Sequence, residues 1–221
     1  MKFSEAQAIA TEHATSDYYV NSYRDMERMY LPALLEAVES RSPTRILEVG
    51  PGWGTTAVWL ADEGHDVTVM DLMPLGTWMT QELIDTYGIK YVHNDIEDAV
   101  APDGIDLGTF DLVIMTQVIP HLAWKPDRAL RHVADLMSDD GEFITSVLDL
   151  LDYKDLDAAF GDDWTGVPEW KSTDRCQDIV KCMYTSETFS ELLESVFDTI
   201  EIWKPKRSTV LFARATKRAA Q

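Results

Sequence analysis

Apolar runs of strand length alternate with helix-like stretches along most of this chain. The run Arg45–Val49 leads into a glycine-rich turn, and Asp66–Asp71 and Tyr91–Asp95 are further short runs, each closing on an acid. Phe110-Asp111-Leu112-Val113-Ile114-Met115 is nearly continuous in apolar residues, as a central parallel strand buried on both faces should be. Helices are expected at about 55–63, 77–87 and 126–137. Strands separated by helices imply βαβ units and a parallel sheet. Leu136–Val147 reads as a helix end, a turn at Asp139-Asp140-Gly141 and a strand. Near the C-terminus the pattern changes. Thr185 or Ser186 caps a helix, and two strands, Thr199–Trp203 and Ser208–Ala213, flank Lys204-Pro205-Lys206-Arg207 as an antiparallel hairpin.

Residues 4–40 carry apolar and aromatic positions at helical spacing, broken at Ser42-Pro43-Thr44. Residues 149–183 leave the α/β rhythm. They hold Trp164 and Trp170 among acids and turn residues, a composition suited to recognition on a loop, by stacking or by caging an amine. The tryptophans would equally serve to anchor a long loop. Asp149, Asp152, Asp155 and Asp157 look like a solvated helix face.

The candidate chemistry centres on Glu48-Val49-Gly50-Pro51-Gly52-Trp53-Gly54. Glycines here allow positive φ and close approach of a ligand to the backbone, and the helix start behind them offers unpaired N–H groups. The dinucleotide fingerprint requires a third glycine at the sixth position of the turn, where this chain has Thr55. An acid before the glycines suits a cationic ligand and would repel a pyrophosphate. Asp71 lies about twenty residues further on, at the end of the second strand, where an acid can accept hydrogen bonds from ribose hydroxyls.

These features, in this order over roughly residues 44–147, resemble the class I S-adenosylmethionine-dependent methyltransferases. The resemblance implies a Rossmann-like three-layer α/β sandwich with a mostly parallel seven-stranded sheet and a C-terminal antiparallel hairpin. It implies S-adenosyl-L-methionine as cofactor, held by Glu48, Gly50, Gly52, Gly54, Asp71 and Leu72. Asp95 and Ile96 would meet the adenine, and Thr116 and Gln117 the methionine part or the substrate. Residues 1–43 would form a helical lid, 44–148 the cofactor core, 149–183 a substrate-recognition insert and 184–221 the closing helix and hairpin of one domain. Tyr18, Tyr19 and Tyr23 become candidate contacts to the sulfonium or the substrate, with an aromatic stripe packed on the sheet as the alternative, and Trp164 and Trp170 become candidate substrate contacts. His121, just after the fourth strand, is the candidate general base, with a structural or substrate-contacting role as its alternative. His132 reads as surface or packing. The Asn-Pro-Pro-Tyr type of motif used on planar amide or base nitrogens is absent, Thr116-Gln117-Val118-Ile119 standing in its place. The expected reaction is methyl transfer to an O or N atom of a small metabolite. A non-catalytic or NAD-binding Rossmann-like protein is the alternative.

Composition narrows the partners. A net charge of −20 over 221 residues argues against nucleic acid or anionic membrane as a partner, since both need basic surface. The two cysteines, Cys176 and Cys182, make no paired zinc spacing, so no metal is expected and free thiols are favoured over a disulfide. No segment has the pattern of a signal peptide or membrane span, so a cytoplasmic location is expected. A homodimer is left open.

Overall fold

The computed structural model describes residues 1–13, 31–38, 44–98, 106–122, 126–152, 183–206 and 208–217. Two helices, α1 (Phe3–Glu12) and α2 (Leu31–Val38), precede β1 (Arg45–Val49). Then follow α3 (Thr55–Asp62), β2 (Asp66–Asp71), α4 (Gln81–Tyr87), β3 (Lys90–His93) and β4 (Phe110–Thr116). Next come α5 (Pro126–Leu136), β5 (Met137–Leu148), α6 (Ser186–Glu194), β6 (Thr199–Trp203) and β7 (Val210–Thr216). The strands form a seven-stranded sheet in the order β3-β2-β1-β4-β5-β7-β6. All neighbours up to β5 are parallel, whereas β7 runs antiparallel to both β5 and β6. The expected α/β sandwich with a reversed hairpin is therefore the fold.

Alternation along each strand builds two cores. Ile46, Val67, Val69, Leu112, Ile114 and Phe212 face α1–α4, meeting Phe3, Leu34, Trp59 and Leu83. Leu47, Val49, Val113, Met115, Phe143 and Val147 face α5 and α6, meeting Leu130, Val133, Phe189 and Leu193. Period-two side chains in a sheet covered on both faces leave no exposed face for polar groups. Among the central strands, polar side chains therefore gather at the strand ends.

Several expected boundaries moved for identifiable reasons. Helix α4 starts at Gln81 rather than 77, because residues 74–79 form a turn in which Gly76 N–H donates to the Met79 carbonyl at 2.9 Å. Thr80 then caps the helix by accepting from Leu83 N–H. The turn foreseen at Asp139-Asp140-Gly141 is absorbed into β5, whose register against β4 shifts between Phe110 and Leu112. Strand β7 begins at Val210 and extends to Thr216. Asp149 is no solvated residue: it is 5% exposed and ion-paired with Lys204 Nζ at 2.7 Å. Of residues 4–40 the structure describes two helical pieces, and Tyr18, Tyr19, Tyr23, Trp164, Trp170 and both cysteines lie outside the described residues.

Phe143 is fully buried and its ring stacks on Phe197 at 5.3 Å between centroids. Phe143→Ala is expected to lower the unfolding free energy by about 3–5 kcal/mol, measured by urea denaturation. A loss under about 1 kcal/mol would mean that the α5–α6 face is not packed as described.

Candidate active site

The site is built at the carboxyl ends of β1, β2 and β4. Gly50, Gly52 and Gly54 have φ of 67°, 54° and 84°, so all three take the left-handed region expected of the turn. At Gly50 this conformation is matched by crowding, since a Cβ there would lie 2.5 Å from Val118 Cγ2. Gly50 N–H donates to the Met70 carbonyl at 2.8 Å, tying the turn to β2. Gly54 caps α3, and a Cβ on it would meet Met79 Cε at 2.5 Å. Met70 on β2, Val118 just past β4 and Met79 before α4 thus hold the turn from three sides.

Glu48 sits behind these glycines, 3% exposed. Thr56 and the Ala57 N–H favour its charged form, but burial outweighs them and the nearby Asp71 carboxylate adds to it, pushing the pKa up to about 8. Its Oε2 atom has no hydrogen-bond partner. A buried carboxyl with one oxygen unmatched is costly as an anion unless a cation approaches it.

Asp71 ends β2 at 9% exposure, and Met73 N–H donates to its Oδ1 at 2.8 Å. Burial raises its pKa, with the Met73 N–H and His93 pulling the other way. The next two residues, Leu72 and Met73, are 62% and 38% exposed. Their carbonyls accept from His93 Nε2 at 2.9 Å and from the Tyr91 hydroxyl at 2.8 Å, so β3 fixes the loop that displays them. Beyond β3, Asp95 Oδ1 accepts from Glu97 N–H at 2.9 Å, a tight polar turn. Ile96 is only 6% exposed and packs with Met70 in the α5-side core, while His132 Nδ1 bonds its carbonyl at 2.8 Å, the packing role expected of that histidine.

Thr116 ends β4, half-buried, and Gln117 follows with φ of 58°. A short 3₁₀ turn, Ile119–His121, carries half-buried His121. Ser146, Val118, Met79 and Thr56 complete the surroundings and were not singled out from the sequence. A serine within the apolar run of β5 was the available signal for the first of them.

A cavity of about 350 Å³ lies on the α5 face, lined by Met70, Asn94, Ile96, Thr109, His132 and Leu136 among others. Of the expected cofactor contacts it includes Ile96, and none of the glycine turn, Asp71, Gln117 or His121. Among the described residues no three His, Cys, Asp or Glu side chains are grouped to hold a metal ion. No helix among them is long and apolar enough to cross a membrane.

Sheet order, reversed hairpin and acid-flanked glycine turn together define a Rossmann-like methyltransferase architecture. The methyltransferase domain family matches residues 22–196, and the chain belongs to that family, within the class I S-adenosylmethionine-dependent superfamily. A malonyl-[acyl-carrier protein] O-methyltransferase of Geobacter sulfurreducens is 30% identical over 141 residues, 62% of this chain and 49% of that protein. The chain spans about half the length of the curated relatives it matches. Among solved structures, a Burkholderia thailandensis 1,6-didemethyltoxoflavin-N1-methyltransferase superposes with a TM-score of 0.66 at 18% identity, covering 96% of this chain and 87% of that one. The N-methyltransferase NodS of Bradyrhizobium japonicum gives 0.61 at 16%, covering 96% and 98%.

The raised Glu48 pKa makes a stability prediction for the free protein. An acid whose folded pKa lies near 8 against about 4.5 unfolded lends stability that is full below pH 4.5 and lost as pH rises through 8. Glu48→Gln keeps the neutral form at all pH. Its Tm should therefore match wild type near pH 5 and exceed it increasingly toward pH 9 in thermal melts. Parallel curves across that range would show that Glu48 is ionised in the folded protein.

Proposed function

We propose that this protein transfers a methyl group from S-adenosyl-L-methionine to an oxygen or nitrogen atom of a small metabolite. The observation that carries the proposal is the buried Glu48, with one oxygen unmatched, behind a left-handed glycine turn and beside Asp71. That donor set fits a cationic nucleoside better than a pyrophosphate. Gly50, Gly52 and Gly54 would let the ligand lie against the backbone, and Glu48 would complement its positive charge. Asp71, oriented by Met73 N–H, would accept from the ribose hydroxyls. Leu72, exposed beside it, and Asp95 and Ile96 at the next strand end would meet the base. When bound, the cofactor supplies an electrophilic methyl on a sulfonium, open to in-line attack by an acceptor's lone pair.

The chain's own part is then to position and to move a proton. Thr116 and Gln117 stand where β4 meets the crevice, beside the methionine end or the acceptor. His121 is proposed as the base that takes the proton of a hydroxyl acceptor as it attacks, or removes the proton of an ammonium acceptor beforehand to free its lone pair, because imidazole accepts protons near neutral pH. Tyr18, Tyr19, Tyr23, Trp164 and Trp170 remain candidates for the acceptor pocket. The names of relatives support both acceptor atoms: two curated relatives are named as O-methyltransferases, and two structural neighbours as N-methyltransferases bound to S-adenosylhomocysteine.

Calorimetry with S-adenosylhomocysteine tests the reading. Binding is expected in the micromolar range, lost in Asp71→Ala and indifferent to added NAD(H). Absence of heat at millimolar ligand, or competition by NAD(H), would reject it in favour of a nicotinamide-binding or non-catalytic protein.

A further inference from the structure

Gln117 is the one described non-glycine residue with positive φ, at 58°. A side chain with a Cβ pays for that conformation unless its surroundings impose it. Ser146 is its hydrogen-bond partner from the next strand. Fully buried on β5, it is the register partner of Thr116, the residue just before. Gln117 N–H donates to the Ser146 carbonyl at 3.1 Å and to its Oγ at 3.2 Å, and Gln117 Nε2 donates to the same Oγ at 3.1 Å. The Ser146 hydroxyl thus bonds both the backbone and the side chain of Gln117, alongside the Ser146 carbonyl, from a strand whose buried neighbours include Phe143, Ile144, Thr145 and Val147.

The turn at Gln117 decides where the next residue goes. Val118 sits against Gly50, its Cγ2 in the space that a Cβ would need. We infer that Ser146 is a positioning residue for the cofactor crevice: its hydroxyl holds Gln117 left-handed and so seats Val118 against the glycine turn. Ser146 touches no ligand in this scheme. It acts from β5, across β4, on the end of β1. Without the hydroxyl, Gln117 relaxes toward ordinary φ and Val118 leaves Gly50, loosening the floor on which the cofactor lies. The inference rests on the cofactor reading above.

A double-mutant cycle read by S-adenosylhomocysteine calorimetry tests it. Ser146→Ala should weaken binding roughly fivefold to tenfold, the scale of one lost hydrogen bond. In a Gln117→Gly background the same substitution should change affinity by less than about twofold, because glycine holds a left-handed turn unaided. Equal losses in both backgrounds, or no loss in either, would overturn the inference. Methyl NMR of the free protein supplies a readout that needs no ligand: Ser146→Ala should shift the Val118 methyl resonances, and unmoved methyls would also overturn it. A wild-type protein that fails to bind the ligand sinks the cofactor reading instead, and the methyl spectra still judge the clamp.

Discussion

A sheet buried on both faces has only its ends to offer, and this constraint organises the whole molecule. Strand β1 pairs in parallel with β2 on one side and β4 on the other, with apolar side chains alternating into two separate cores. Its carboxyl end is the first place where the chain can turn away from that packing. The turn must be tight, since β2 holds it through Met70 and β4 presses Val118 into it. Glycine there answers a crowded backbone as much as it serves a ligand.

The electrostatics follow from the same geometry. Glu48 and Asp71 occupy neighbouring strand ends, both largely withdrawn from water and both shifted toward the neutral form by burial. Elsewhere buried acids are matched, Asp149 by Lys204 and Glu142 by Arg214. The contrast separates buried acids paired with a cation from Glu48 and Asp71, for which no ion pair is present among the described residues. The overall charge of −20 says little about this, because surface carboxylates are screened whereas Glu48 and Asp71 are buried.

The sheet and its glycine turn were legible because their signals are local. The doubly buried strands read as apolar runs, the acids fall at their ends, and the C-terminal hairpin announces itself by two strands around Lys204-Pro205. What escaped depends on long-range packing. Nothing in the residue type of Gln117 points to a left-handed backbone, which arises only when β5 brings Ser146 alongside. Asp149 looked solvated because its partner Lys204 lies 55 residues away in sequence. The expected turn at Asp139–Gly141 survives only as an irregularity inside β5, where the register against β4 jumps from Met137 to Glu142. Leu72 and Asp95 illustrate an intermediate case: their positions followed from strand ends, but the support of Leu72 by His93 did not.

The strand order also bears on how the protein comes into being. Among the described strands β6 has a single neighbour, β7, and β7 is synthesised after all the others. The sheet's far edge therefore stays unassembled until nearly all of the described chain has been synthesised, when Val210–Thr216 slides in between β5 and β6. Until then the long flank of β5 stands open, its amides awaiting a partner that the chain supplies only after β6.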